Sequence, residues 1–249
     1  MLKQPDTYLI YGANSSIGSE LAKKVFPDVK NLVLFYHQRK DKIEHLLMDK
    51  RVFAFQSDIR NFEEYLKKIN EAFSQFDVNE LAAVYLPAIR NYDYKPLVDT
   101  SLDISREIID VNFMGTIHFL KGILQIKNSY SKRLVLLGSS VSRIGLKYGS
   151  VYSASKAAIA NLVRSVAMEE GASNVFINAI SPGPVATDNQ SFGEDYLKFR
   201  EKYFEIQKAL TSLNKVANSE EVCSLICFLT SLENTHITGE EVFITGGAL

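Results

Sequence analysis

Thr7-Tyr8-Leu9-Ile10-Tyr11-Gly12-Ala13-Asn14-Ser15-Ser16-Ile17-Gly18 is the stretch whose reading decides the fold. An apolar, aromatic run stops at Gly12, and an amphipathic stretch follows from Ile17 to Phe26, so the segment reads as strand, tight turn, helix. Glycines at the ends of the turn let backbone N–H groups approach a pyrophosphate at the helix N-terminus. A glycine pair of this spacing is weak by itself. At a first strand-to-helix turn it has the context that a nucleotide fingerprint requires.

The same alternation continues outward: Leu32 to Tyr36, Val52 to Phe55, Leu81 to Leu86, Leu134 to Leu137 and Val175 to Ile180 read as strands. Helical patterns lie between them at Lys40 to Met48, Phe62 to Phe76, about Ile104 to Ile126, and Tyr152 to Met168. Strands apolar on both faces and separated by helices indicate a parallel sheet covered on both sides. The expected fold is therefore α/β, a single Rossmann-type doubly wound sheet of about seven strands, with ligands outside the carboxyl ends of the strands. One domain spans 1–249, with no internal repeat or linker. Residues 185–217 break the rhythm: they are polar and aromatic, helical from about Glu194 to Leu210, and suit a small substrate lid.

The bulk numbers exclude several classes. With 28 basic and 29 acidic residues, no global field favours nucleic acid or an anionic membrane. The 46% hydrophobic content suffices for a sizeable core, yet no apolar run is long enough to span a bilayer. Cys223 and Cys227, the only cysteines, lie one turn apart on an apolar helical face and read as core, and with no apolar signal segment at the N-terminus a reducing cytoplasm is expected. The histidines at 37, 45, 118 and 236 lack metal-ligand spacing, so no metal site is expected.

Tyr152 and Lys156 carry the chemistry. Four residues apart, they share one helix face. A free phenol titrates near ~10, but a neighbouring ammonium favours the phenolate and turns tyrosine into a usable acid.

These motifs together resemble the short-chain dehydrogenases/reductases, most closely the 3-oxoacyl-carrier-protein-reductase-like members, over essentially the whole chain. The resemblance rests on Gly12 to Gly18, Asp58, Val111-Asn112, Gly138-Ser139-Ser140, Tyr152 to Lys156, Asn178 to Thr187, and Ile237 to Gly247. It implies that Tyr152 is the general acid/base, that Lys156 lowers its pKa and binds ribose, and that Ser139 holds the substrate oxygen. Asn112 matches the fourth catalytic position, where a bent helix holds a water that passes protons toward the lysine. Strand alternation lets only one of Ser139 and Ser140 face the cleft. A gapless match from Gly138 to Tyr152 favours Ser139. For the cofactor, the resemblance implies contacts from Gly12, Asn14, Ser15, Ser16, Ile17 and Gly18, from Asp58 and Ile59 at the adenine, from Ala88, Tyr152 and Lys156, and from Pro182, Gly183, Val185 and Thr187 beside the nicotinamide.

Three departures from the family pattern stand out. Tyr11 and Ser16 replace a threonine and a mid-loop glycine. Leu86-Pro87-Ala88-Ile89 replaces Asn-Ala-Gly after the fourth strand, where Pro87 has no N–H to donate. No acid follows the second strand to select NAD through a 2′-hydroxyl; Tyr36-His37-Gln38-Arg39-Lys40 instead offers Arg39, with Lys40 beside it, to a 2′-phosphate. NADP(H) is the expected cofactor, with NAD(H) the alternative. The expected activity is hydride transfer between nicotinamide and a ketone, 3-oxoacyl group or secondary alcohol. A non-catalytic nucleotide sensor or scaffold of the same fold is the competing reading, and the chain is too short for a sugar-nucleotide epimerase. The small-molecule carbonyl or alcohol is the expected partner, with a homo-oligomer, tetramer or dimer, in which the terminal Gly246 to Leu249 tail packs on a neighbour.

Overall fold

In the computed structural model, which describes residues 2–90, 95–127, 130–187 and 194–248, the opening stretch folds as β1 (Thr7–Tyr11), a turn, and α1 (Ser16–Val25). Every residue of β1 is buried, because a central strand covered on both faces has no wet side. The chain continues through β2 (Asn31–Tyr36), β3 (Val52–Gln56), α2 (Phe62–Phe73), β4 (Glu80–Tyr85) and α3 (Leu102–Ile109). A π-helical turn at Asp110–Met114 joins α3 to α4 (Gly115–Leu124), so the helical pattern of 104–126 is one helix with a widened turn. Then come β5 (Ser131–Leu137), the short α5 (Val141–Ile144), the long α6 (Ser150–Glu170) and β6 (Val175–Pro182). β7 (Val185–Ala186), α7 (Glu194–Ala209), β8 (Ala217–Asn218), α8 (Ser219–Thr230) and β9 (Glu241–Ile244) complete the chain.

The seven strands of the main sheet run in the order β3-β2-β1-β4-β5-β6-β9, and every neighbouring pair is parallel. The order reverses between β1 and β4, the switch point where a doubly wound sheet opens a crevice. Two apolar layers enclose the sheet. Leu9, Tyr11, Val33, Tyr65, Phe119 and Ile159 pack on one face, and Tyr8, Ile10, Leu21, Val25, Val222 and Ile226 on the other. Cys223 and Cys227 are free and buried in the second layer, against α1, so they serve as small core residues.

One expected helix does not form. Lys40 to Met48 folds as turns around a 3-10 helix at Glu44–Leu46. Ile43 and Leu46 are buried, but Met48 is exposed, so the apolar stripe ends before a second turn. The backbone bonds there span three residues, as in Ile43 N–H to Lys40 O, and the Lys42 N–H goes to the Asn14 side chain.

The 185–217 excursion begins and ends on a second, two-stranded parallel ladder, Val185 beside Ala217 and Ala186 beside Asn218. Arg200 on α7 donates to the Thr187 carbonyl and hydroxyl oxygens at 3.1 and 3.2 Å, tying that helix to the base of the excursion. Residues 188–193 of the excursion and Leu249 of the tail lie outside the described residues, as do the side chains of 194–196 and 199.

Candidate active site

The glycine turn is built by close approach. Gly12 sits at φ +88, and a Cβ on Gly18 would lie 2.3 Å from the Gly12 carbonyl oxygen, so α1 can pack this tightly only with glycine there. Ser15 caps α1: its Oγ accepts from Gly18 N–H at 3.0 Å and donates to Gly12 O at 2.8 Å. The first turn of α1 carries no acidic residue, so the positive end of the helix faces the crevice uncompensated. The crevice is a cleft of about 780 Å³ that runs from the glycine turn and the end of β2 to Leu137 and Thr187.

The floor of the cleft lies at the carboxyl ends of β2 and β3. Asp58 is gripped by Arg60, whose Nη2 stands 2.6 Å from Oδ2, and that guanidinium holds the Asp58 carboxyl below the usual carboxylate range. Tyr11, in place of the family's threonine, stacks on Phe35 at 5.2 Å and donates from its hydroxyl to the Ser57 carbonyl at 3.0 Å. The Ser57 hydroxyl is buried on the wall of the cleft, and no described residue partners it. A buried hydroxyl of this kind calls for a polar ligand atom. With the positive end of α1, which carries no acidic residue in its first turn, and the glycine cradle, it makes the residues present fit a dinucleotide.

At the other end of the cleft the widened helical turn presents Asn112, which is fully buried. Its carboxamide accepts from Ile89 N–H at 2.8 Å and donates to Ile89 O at 2.9 Å, so one side chain clamps both polar groups of the rebuilt 86–89 segment. The same Nδ2 donates to Ser155 Oγ at 3.0 Å, and Ser155 donates to the Tyr152 carbonyl at 2.7 Å. Two hydroxyls hold the turn itself: Tyr85 donates to Val111 O at 2.7 Å and Thr116 to Asn112 O at 2.6 Å. Lys156 is 1% exposed, and its Nζ donates to Leu137 O at 2.6 Å and lies 5.9 Å from the centre of the Tyr152 ring. Burial pushes its ammonium down to about 7.

The loop after β5 lies against the end of β6 through Gly138 N–H to Ile180 O and Ser140 N–H to Pro182 O. Ser140 is buried, whereas Ser139 is half-exposed and its Oγ accepts weakly from Val141 N–H at 3.5 Å. Glu241 on β9 takes hydroxyl bonds from Ser142 at 2.5 Å and Ser181 at 2.6 Å, joining this loop to β6 and the edge strand.

A family model described as "Enoyl-(Acyl carrier protein) reductase" matches residues 12–248. The chain belongs to the short-chain dehydrogenase/reductase family. It is 24% identical to the 3-oxoacyl-[acyl-carrier-protein] reductase FabG of Staphylococcus aureus (strain Mu50), over 99% of both chains. Short-chain dehydrogenase/reductase aba4 of Botryotinia fuckeliana is 28% identical, again over 99% of both. The fold matches a Brucella melitensis short-chain dehydrogenase/reductase with a TM-score of 0.85 at 23% identity, covering 100% of this chain and 98% of that one. A Mycobacterium ulcerans short-chain type dehydrogenase/reductase matches with a TM-score of 0.87 at 20% identity, covering 100% and 91%. As a short-chain dehydrogenase/reductase the protein is an NAD(P)-dependent oxidoreductase of the CH–OH/C=O couple.

Within this short-chain dehydrogenase/reductase, Gly12, Asn14 to Ile17, Arg39, Asp58, Ile59, Ala88 and Thr187 line the cleft. Gly18 sits beneath the turn, while Pro182, Gly183, Val185, Tyr152 and Lys156 do not line it. Lys40 does not line it either. Asp41, Lys42, Ser57 and Arg60 do, and sequence reading passed over all four. For Arg60 a signal existed, since an arginine two residues after an aspartate at a strand end can fold back onto it. For Ser57 and Glu241 none existed. Among the described residues no group of three or more His, Cys, Asp or Glu could hold a metal, and no helix is long and apolar enough to cross a membrane.

Proposed function

We propose that this protein is an NADP(H)-dependent carbonyl reductase that acts on a ketone or 3-oxoacyl substrate, with Tyr152 as the general acid. The observation that carries the reading is Lys156. A lysine is almost never fully buried without an ionic partner, and this one is buried beside a tyrosine and donates to the carbonyl of Leu137, a residue that lines the cleft. When bound, the nicotinamide supplies the hydride. Gly12, Asn14, Ser15, Ser16 and Ile17 would hold the pyrophosphate side, Asp58, Ile59 and Ala88 the adenosine side, and Pro182, Gly183, Val185 and Thr187 the nicotinamide side, with Lys156 on a ribose.

As negative charge grows on the substrate oxygen, Tyr152 surrenders its proton to it and the Ser139 hydroxyl donates a hydrogen bond. The Lys156 ammonium stabilises the phenolate left behind. Asn112, bonded to Ser155 next to Lys156 in the chain, would hold in the widened turn the water that carries the replacement proton. The excursion from 185 to 217 acts as the substrate lid of a single catalytic unit. The 3-oxoacyl assignment leans on the likeness to FabG; the NADP(H) assignment leans on the absence of an acid directly after β2. Free, buried cysteines suit a reducing, cytoplasmic setting. The β9 edge, unpaired among the described strands, suits a homodimer or tetramer, which light scattering decides.

The test is NADPH oxidation over a panel of ketones and 3-oxoacyl thioesters. Tyr152→Phe should lower turnover by about 10²–10⁴-fold with NADPH affinity intact. If no carbonyl turns over above that variant while NADPH still binds, the reductase reading is wrong. Ser139→Ala should be inactive and Ser140→Ala active; the reverse moves the oxyanion contact to Ser140.

A further inference from the structure

We infer that Glu241, at the edge of the sheet and outside the cleft, is a positioning residue for the reaction: one of its carboxylate oxygens fixes both ends of the loop that carries Ser139. The inference rests on the reductase reading above and adds to it the group that sets the oxyanion hydroxyl.

Strand alternation puts Glu241 where it can do this. On β9 it stands opposite Ala179 of β6, so the two side chains share a face of the sheet, and Ser181, two residues further along β6, shares it too. Ala179 belongs to the apolar layer that holds Ile159 and Val163 of α6. A carboxylate at the margin of such a layer needs donors. Two hydroxyls supply them, and both go to the same oxygen: Ser181 Oγ donates to Oε1 at 2.6 Å and Ser142 Oγ donates to it at 2.5 Å. Hydroxyl bonds to a carboxylate are the strong, charge-assisted kind.

Each hydroxyl grips one end of the serine loop. At its start, a Cβ on Gly138 would lie 2.2 Å from Ser181 Oγ, so that hydroxyl fills the space beside the Gly138 backbone and the loop cannot shift toward it. At its end, Ser142 N–H donates to Ser139 O at 2.9 Å and closes a turn. The Ser140 N–H bond to Pro182 O, at 2.9 Å, pins the middle of the loop to β6. A loop pinned there still swings about that point, and the Ser142 bond to Glu241 stops the swing. Ser139 itself is half-exposed, and among the described residues its hydroxyl has one bond, the weak 3.5 Å contact from Val141 N–H. Its place is therefore set by the backbone of the loop, and Glu241 holds that backbone at both ends.

Glu241 acts from outside the cleft. With Ser142, Arg143, Ala160 and Phe243 it lines a separate cavity of about 470 Å³, and neither Glu241 nor Ser142 lines the dinucleotide cleft. Loss of the carboxylate should therefore reach the chemical step without reaching NADPH. A reacting group displaced by about 1 Å can cost about 10²-fold in rate.

The test compares wild type, Glu241→Ala, Glu241→Gln, Ser142→Ala and the Ser142→Ala/Glu241→Ala double variant, all well below their melting temperatures. Amide hydrogen exchange is followed in peptides covering 138–143, NADPH affinity by fluorescence, and hydride transfer by single-turnover NADPH oxidation with the fastest carbonyl of the panel. Glu241→Ala should speed exchange at 138–143, lower the hydride-transfer rate by about tenfold or more, and change NADPH affinity by less than about twofold. Glu241→Gln keeps an acceptor oxygen for both hydroxyls and should recover most of the rate. Ser142→Ala should lose part of the rate, and the double variant should be no slower than Glu241→Ala alone. A merely structural role would lower rate and NADPH affinity together, and that outcome overturns the inference. So does an unchanged rate or unchanged exchange in Glu241→Ala, a Glu241→Gln variant as slow as Glu241→Ala, or a double variant slower still. A wild type that turns over while these contrasts fail sinks the Glu241 assignment alone; a wild type that binds NADPH but turns over no carbonyl sinks the reductase reading and the positioning role with it.

Discussion

Replacing Lys156 by methionine should stabilise the protein at neutral pH while abolishing its chemistry, and the gain should shrink as pH rises. Lys156 is buried, with burial pushing its ammonium from 10.5 to about 7 and its Nζ bonded to Leu137 O at 2.6 Å. Below pH ~7 the group is charged in the folded and unfolded chain alike, so folding carries the whole desolvation penalty. At about 1.4 kcal/mol per pKa unit this amounts to about 5 kcal/mol. Between pH ~7 and ~10.5 the unfolded chain keeps a proton that the folded chain has released. Wild-type stability therefore rises with pH, by about 1.4 kcal/mol per unit, until the penalty vanishes near ~10.5.

Methionine removes the penalty but leaves the Leu137 carbonyl without its donor, a loss of about 1–3 kcal/mol. The net gain is about 2–3 kcal/mol at pH 7 and about zero near pH 9. For a chain of this size the first figure is a rise in Tm of about 5–10 °C. Calorimetric melts of wild type and variant at pH 6, 7, 8 and 9, without nucleotide, read both the sign and the slope. A variant that melts below the wild type at pH 7, or a difference that stays flat from pH 7 to 9, refutes the reasoning, since the slope depends only on the displaced lysine.

Two further outcomes follow from the packing. Glu241→Ala removes the acceptor shared by Ser142 and Ser181 and should lower stability by about 2 kcal/mol, or about 4–8 °C in Tm, whereas Glu241→Gln keeps an acceptor oxygen and should recover most of it; equal melting of the two variants would count against the clasp. Gly18→Ala places a Cβ 2.3 Å from Gly12 O and 2.9 Å from Ala13 Cα, so the turn must move, and NADPH affinity, followed by fluorescence, should fall at least about tenfold.

Much of the fold was legible because it rests on local patterns. An all-buried parallel strand must be apolar throughout, and β1 is. The tight turn at Gly12 and the close packing at Gly18 leave their mark in residue type alone. The segment from Lys40 to Met48 misled for a related reason. Its apolar spacing resembles one helical turn, but Asn14 takes the Lys42 N–H, a competition that no local window contains.

The sequence by itself determined the doubly wound sheet, the glycine turn after β1 and the placing of Tyr152 and Lys156 one turn apart on a helix, since each depends on residues close together in the chain. Tertiary structure alone decided how these parts are held and charged. Glu241 reaches Ser142 across 99 residues and Ser181 across 60, and Asn112 clamps Ile89 across 23. The depressed lysine exists only because the sheet and α6 close over it. Burial and long-range hydrogen bonds depend on strand register and helix docking, which no local stretch of sequence contains.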